Sequence, residues 1–281
     1  MIKREKNNLN EIKKRFFNYL QTFKNDDMEL LENVLLKEKH TVQVCKEILE
    51  IGRSLRLRHD ELYLAEVIAL LHDIGRFEQY KIYRTFADNK SVNHAELGVE
   101  ILQKNRILDD LNESIKKIIL RAVRYHNCAS IPENESDECI FFTKLLRDAD
   151  KLDIYRVVTE YYMEQKNGKQ NKTIELNLPN TPDISADVCK SLLNKKIVNI
   201  RDIKNLNDFK LLQLSWIFDI NFSATYCNIK SRRYLEIIRE NLPKTELTAD
   251  IFNIIYQYLD NKCSEIENYT QKDITGDYEN K

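Results

Sequence analysis

The chain has 281 residues, enough for one large domain or two smaller ones. Its 44 basic and 45 acidic residues leave a net charge of -1, which excludes the global basic field expected of a protein that holds long nucleic acids. Five glycines and four prolines are too few for a sheet-rich fold with many tight turns, so the composition favours an all-α protein.

Six cysteines occur with no CxxC spacing, which speaks against a zinc ribbon or a dithiol redox motif and predicts free thiols. No apolar run approaches the roughly 18 residues of a spanning helix. The opening Met1-Ile2-Lys3-Arg4-Glu5-Lys6 is charged with no apolar stretch after it. The expectation is a cytoplasmic protein with no membrane partner.

Residues 9–24 predict an amphipathic helix through Ile12, Phe16, Tyr19, Leu20 and Phe23. Asp26-Asp27 then offer a cap for a segment with Leu30, Leu31, Val34 and Leu35, and helical spacing continues past His40 to Leu57. Taken alone, His40 is an ordinary core or surface histidine. His59-Asp60 is assigned to capping and solvent, with Asp60 as N-cap of the next helix. That helix, Leu64 to Leu71, is apolar and ends in His72-Asp73, with Gly75 and Arg76 following. A buried helix that finishes in an imidazole and a carboxylate needs a partner there, because unpaired buried polar groups cost several kcal/mol.

Ile74 to Asn93 has mixed character, aromatic residues alternating with Arg76, Lys81, Arg84 and Lys90, and predicts a connection or lid beside a ligand cluster. His94 opens another helix, and residues 111–126 form a further apolar-periodic segment that ends in His126. Cys139 to Met163 predicts a long helix whose inward face carries Phe142, Leu145, Leu146, Ala149 and Val157. Asp153 falls near the middle of that face and Asp150 at its border, while Asp148 points away towards water. The stretch 165–183, with Gly168, Pro179 and Pro182, is the linker, and alternating Ile174, Leu176 and Leu178 suggest a short strand or hairpin there. Helical patterns resume from 184 to about 268, Trp216 belongs to the core of those helices, and the tail after Tyr269 is polar and expected to fray.

His40, His72-Asp73, His94, His126 and Asp150 occur in the order H…HD…H…H…D. That order resembles the HD-domain superfamily of metalloenzymes. Leu70-Leu71-His72-Asp73-Ile74-Gly75-Arg76 looks like its central motif, Asn93-His94-Ala95-Glu96-Leu97-Gly98 like its next histidine motif, and Asp148-Ala149-Asp150-Lys151-Leu152 like its closing Asp motif. The resemblance covers roughly residues 30–165. The later Ser215-Trp216-Ile217-Phe218-Asp219-Ile220-Asn221-Phe222 is similar to an extension in a bacterial subgroup of HD proteins. The resemblance implies an HD-type helical domain over 1–165 and a C-terminal helical extension over 184–268 that packs on it, or one continuous domain.

It also implies a metal site. His40, His72, Asp73 and Asp150 would hold one ion, and Asp73, His94 and His126 a second, with Asp73 shared. A mixed imidazole and carboxylate set suits Mn, Fe, Co, Ni or Zn better than Mg or Ca. Asp153 is placed to orient a ligand histidine. A bridged pair of ions activates water and stabilises the opposing oxygens of a phosphoryl displacement. The phosphate then needs cationic contacts, for which Arg76 is the first candidate and Arg84, Lys90 and Lys151 are further ones. The resulting expectation is a phosphomonoesterase or phosphodiesterase acting on a small nucleotide-type ester, with Asp73 and Arg76 central to catalysis. The alternative is a mixed-valent di-iron oxygenase of the same superfamily. A binding module with a vestigial site would have lost a ligand, and none of the six is missing.

Overall fold

The computed structural model describes residues 2–165 and 174–275, with side chains for 9–165 and 174–264. Among them are α-helices and short 3-10 turns, and no strand. No helix of the described residues is long and apolar enough to cross a membrane. The chain divides into two compact units, Met1–Ile154 and Tyr155–Lys281, and the division falls inside one long helix rather than in the 165–183 stretch. Of that stretch, 166–173, including Gly168, lie outside the described residues. The strand or hairpin expected over 174–178 is instead a turn, in which Leu176 and Asn177 take left-handed backbone angles.

The first unit is built from α1 (Ile2–Gln21), α2 (Met28–Ser54), α3 (His59–Leu71), α4 (Ile74–Tyr83), α5 (His94–Lys104), α6 (Glu113–Tyr125) and the first part of α7 (Asp137–Gln165). Helix α3 is its centre. Every residue from Tyr63 to Leu71 except Glu66 is buried, because α1, α2 and α6 all pack against it. A helix that is apolar all round belongs in such a position. Glu66, half-buried, accepts from Lys13 Nζ at 2.6 Å. The start of α3 differs from the expectation: Arg58 is the N-cap, its backbone N–H donating to Glu61 Oε2 at 2.7 Å, and Asp60 lies in the first turn. Asp27 does cap α2, accepting from the Leu30 N–H at 3.0 Å.

Two other expectations change. Half of the predicted connection after Asp73 is helix α4, which ends at Arg84 in a left-handed conformation. Asp148, expected to face water, is fully buried although Lys144 and Lys151, one turn before and after it, keep solvent contact, so the angle around α7 does not by itself decide its burial.

Glycine sets the approach of α4 to α5. A Cβ on Gly75 would lie 2.1 Å from the His94 carbonyl oxygen and 2.7 Å from the Gly98 nitrogen, both backbone atoms that cannot rotate away. The absent side chain lets the first turn of α4 lie directly on the first turn of α5, which fixes Asp73 relative to His94.

The second unit carries the rest of α7, then α8 (Ala186–Leu193), α9 (Leu206–Ser215), α10 (Ser223–Ser231), α11 (Tyr234–Glu240) and α12 (Glu246–Thr275). Helix α12 packs on α8 and α10, and α9 on α8 and α11. Buried Asp208 ties the loops before α8 and α9 together by accepting from Ser185 N–H, Ser185 Oγ and the Lys204 N–H. Trp216 is half-buried, edge-on to Tyr155 at 5.9 Å. Helix α12 continues past Tyr269 to Thr275, where a frayed tail was expected; 276–281 lie outside the described residues.

Gly75→Ala tests the α4–α5 contact. Forcing those backbones apart should destabilise the protein by about 2–3 kcal/mol, seen as a lowered thermal midpoint, whereas Gly52→Ala, whose Cβ would meet only leucine side chains, should cost less.

Candidate metal centre

Six side chains from five helix ends or faces of the first unit converge on one buried place. His40 comes from the middle of α2, His72 and Asp73 from the α3–α4 junction, His94 from the first residue of α5, His126 from the end of α6 and Asp150 from α7. Asp73 is the N-cap of α4, yet its carboxylate makes no capping hydrogen bond. An aspartate in that position ordinarily accepts from the helix's own first N–H groups. Here it is left for the site.

The four imidazoles share one arrangement. His72 Nδ1 donates to the Ala69 carbonyl at 2.7 Å and His126 Nδ1 to the Val123 carbonyl at 2.6 Å. His40 Nδ1 meets Asp153 Oδ2 at 2.7 Å, and His94 Nδ1 meets Asp88 Oδ2 at 2.7 Å. Each Nδ1 proton is thereby committed to a fixed acceptor, the hydrogen-bond network assigning the tautomer. Each Nε2 lone pair is aimed inward, as a metal-ligating histidine requires.

Those lone pairs face other acceptors. His40 Nε2 lies 3.1 Å from Asp150 Oδ1, and His94 Nε2 lies 3.0 Å from His126 Nε2. Two acceptors at hydrogen-bond distance with no proton between them repel, and buried His40 Nε2 and His72 Nε2 have no hydrogen-bond partner among the described residues. A cation between them removes both problems. Metal–donor bonds of about 2.0–2.2 Å place neighbouring donors about 3–3.5 Å apart. Asp73 Oδ2 is 3.5 Å from His40 Nε2 and 3.6 Å from His72 Nε2, while Asp73 Oδ1 is 3.4 Å from His94 Nε2 and 3.8 Å from His126 Nε2. The donor atoms thus form two groups, His40 with His72 and Asp150, and Asp73 with His94 and His126. Asp73 turns one oxygen to each.

Charge agrees with this geometry. Burial pushes the His72 pKa down to about 4 and that of His94 to about 3, the latter helped by Arg76, so both rings are neutral ligands at physiological pH. Burial by itself would raise Asp73, but Lys37, His72, His126 and Arg76 surround it and hold its carboxyl well below the usual range. Asp150 is likewise lowered against its burial, by His40 and His72. His40 is raised: burial and Lys37 oppose its charge, but the neighbouring Asp150 and Asp153 carboxylates outweigh them, so this corner attracts a positive charge.

The structure brings Arg76 to the centre and ties it there. Its Nη1 donates to Gln79 Oε1, the Phe86 carbonyl and Asp88 Oδ1, and its Nε lies 3.5 Å from Asp73 Oδ1. The guanidinium of Arg84 is instead paired with Asp27 at 2.6 Å, and Lys90 is exposed on the 3-10 turn Asp88–Lys90. Lys151 is half-buried beside Asp150 in sequence. Asp153, fully buried, holds His40 as described. His59 is exposed and in neither group.

Sequence reasoning missed Lys37, Asp88 and Gln79. Lys37 Nζ meets Asp73 Oδ2 at 2.7 Å, and its spacing one turn before His40 was a usable signal. Asp88 binds His94, Arg76, Gln79 and Asn127 at once, and its pKa is drawn down to about 2, His94 and Arg76 overcoming burial. Fully buried Gln79 fastens the same loop through Ser91 Oγ and the Val92 carbonyl. No local sequence pattern marks either residue.

Two adjoining imidazole–carboxylate groups in a helical unit are candidate sites for divalent metal ions. Residues 38–155 match the family model of the HD domain, and that segment holds all six ligand candidates. HD domains bind divalent metals and mark a superfamily that is generally one of metal-dependent hydrolases. No curated protein and no solved structure matches the chain.

Metal analysis after expression with added manganese or iron should find about two equivalents per chain. Asp73→Ala should lose both, and His59→Ala neither. Asp88→Asn, which removes the anionic acceptor of His94, should weaken binding at one ion by about 10–100-fold and leave the other near wild type.

Proposed function

We propose that the protein is a metal-dependent phosphohydrolase that cleaves a small, nucleotide-type phosphate ester. The observation that carries this reading is Asp73, whose two oxygens address two separate groups of inward-aimed ligands. When bound, two ions supply a lowered water pKa and stabilise both the attacking and the leaving oxygen of an in-line displacement.

The rest falls to the chain's own residues. His40, His72, His94 and His126 are held with Nε2 turned inward because Asp153, the Ala69 and Val123 carbonyls and Asp88 bind their Nδ1 atoms. Arg76, fixed by Asp88, Gln79 and the Phe86 carbonyl, offers a cation beside Asp73 for the peripheral phosphate oxygens, where phosphoryl transfer needs charge. The net charge supports an anionic substrate. Asp73, Asp88, Asp150 and Asp153 bring four negative charges, against which Lys37, Arg76 and two divalent ions leave about two positive charges over, the complement of a phosphate dianion. The nucleotide-type substrate rests on the resemblance of the motifs, and the near-neutral chain favours a small ester over a nucleic acid polymer.

A di-iron oxygenase would use the same six ligands, so the test compares two activities. Protein loaded with Mn²⁺ or Ni²⁺ should release nitrophenol from p-nitrophenyl phosphate or its diester and phosphate from a panel of nucleotides, and Arg76→Ala should lower kcat/KM by about 10²-fold. Dioxygen consumption by iron-loaded protein, with no phosphoester cleaved under any metal, would replace this reading with the oxygenase.

A further inference from the structure

Lys37 has no place in the ligand set, yet its ammonium sits on the carboxylate that the set shares. Among the described residues its one hydrogen-bond partner is Asp73 Oδ2, at 2.7 Å, and its side chain is only 17% exposed. That oxygen is also the one that faces His40 Nε2 and His72 Nε2, at 3.5 and 3.6 Å. An ion held by His40, His72 and Asp150 therefore has to approach the atom that Lys37 already neutralises. Asp73 is 3% exposed, so little water screens an ammonium from a divalent cation at such a distance.

The two cations beside Asp73 differ in freedom. Arg76 Nη1 is held by three acceptors, so moving the guanidinium breaks three hydrogen bonds at once. Lys37 has a flexible four-carbon stem and a single hydrogen bond to give up. Its Nζ lies 5.5 Å from the centre of the Phe86 ring, and the Arg76 guanidinium lies 6.0 Å from the same ring. An aromatic face is a resting place for a cation that has lost its anion. It would keep the ammonium at the rim of the site, near Arg76.

We propose that Lys37 and the first metal ion exchange places on Asp73 Oδ2, and that the ammonium so released becomes a phosphate-binding cation of the loaded site. The proposal rests on the phosphohydrolase reading above. It makes the two halves of substrate recognition interdependent: Lys37 is available to an anion only once metal has taken its carboxylate. It also pairs Lys37 with Arg76, one cation on each side of Asp73.

The experiment uses the full chain and the variants Lys37→Met and Lys37→Arg. Protein stripped with a chelator is titrated with Mn²⁺ by calorimetry, and the Mn²⁺-loaded protein is then titrated with inorganic phosphate. K37M should bind the first Mn²⁺ about tenfold more tightly, because no ammonium competes, and phosphate about tenfold more weakly, with K37R close to wild type for phosphate. In turnover, K37M should raise KM for p-nitrophenyl phosphate more than it lowers kcat. Should K37M not fold when stripped, Lys37→Gln supplies the same readout. An unchanged Mn²⁺ affinity or an unchanged phosphate affinity in the uncharged variant overturns the proposal. Wild-type protein that loads two ions yet neither binds phosphate nor cleaves a phosphoester overturns the phosphohydrolase reading itself, which is a different result from K37M matching an active wild type.

Discussion

Four imidazole lone pairs and two carboxylates aimed at one another inside a helical core are the constraint on which this structure depends. The nearest pairs, His40 Nε2 with Asp150 Oδ1 at 3.1 Å and His94 Nε2 with His126 Nε2 at 3.0 Å, are acceptor against acceptor. Such a cluster is unfavourable without cations, since buried polar groups need partners. The surrounding fold nonetheless holds it in place, through carbonyls of α3 and α6, Asp153 of α7 and Asp88 of the α4–α5 loop. A metal bound there would offset that cost, so ion binding and the stability of this unit would be coupled.

The helices exist to deliver those side chains. Helix α3 is apolar on all sides because three helices cover it, and its C-terminal end is therefore the deepest point to which a His-Asp pair can be carried. Gly75 then allows α4 to turn back onto α5 at backbone contact, which brings His94 to within 3.4 Å of Asp73. Charge is arranged with the same economy of parts: Asp88 serves His94 and Arg76 together, so the ring orientation of one ligand and the position of the nearest cation share one anchor.

Much of this was legible in the sequence because it is periodic or motif-bound. The helical core, the inward aim of Asp150 and Asp153, and the union of His40, His72, Asp73, His94, His126 and Asp150 follow from spacing and from the HD-type motifs. What was not legible depends on neighbours that one helix cannot reveal. Asp148 is on the polar side of α7 by angle alone, with Lys144 and Lys151 one turn away on the same side, yet it is fully buried. The residues after Asp73 looked like a loop because of their mixed polarity, yet Ile74, Phe77 and Tyr80 define a buried face, and Gln79 is buried because it bonds the loop that follows. Asp88 lies six residues before its imidazole partner in an irregular segment, where no period applies. Arg84 looked like a site cation and is taken by Asp27, a pairing that joins residues far apart in the chain.

The proposed function turns on Asp73 being shared between two metal ions. Anomalous diffraction at the manganese edge from crystals grown with Mn²⁺ measures it directly. Two anomalous peaks roughly 3.5–4 Å apart are expected, one against each oxygen of Asp73, the first also touching His40, His72 and Asp150 and the second His94 and His126. A single peak, or a pair that does not share Asp73, would contradict it.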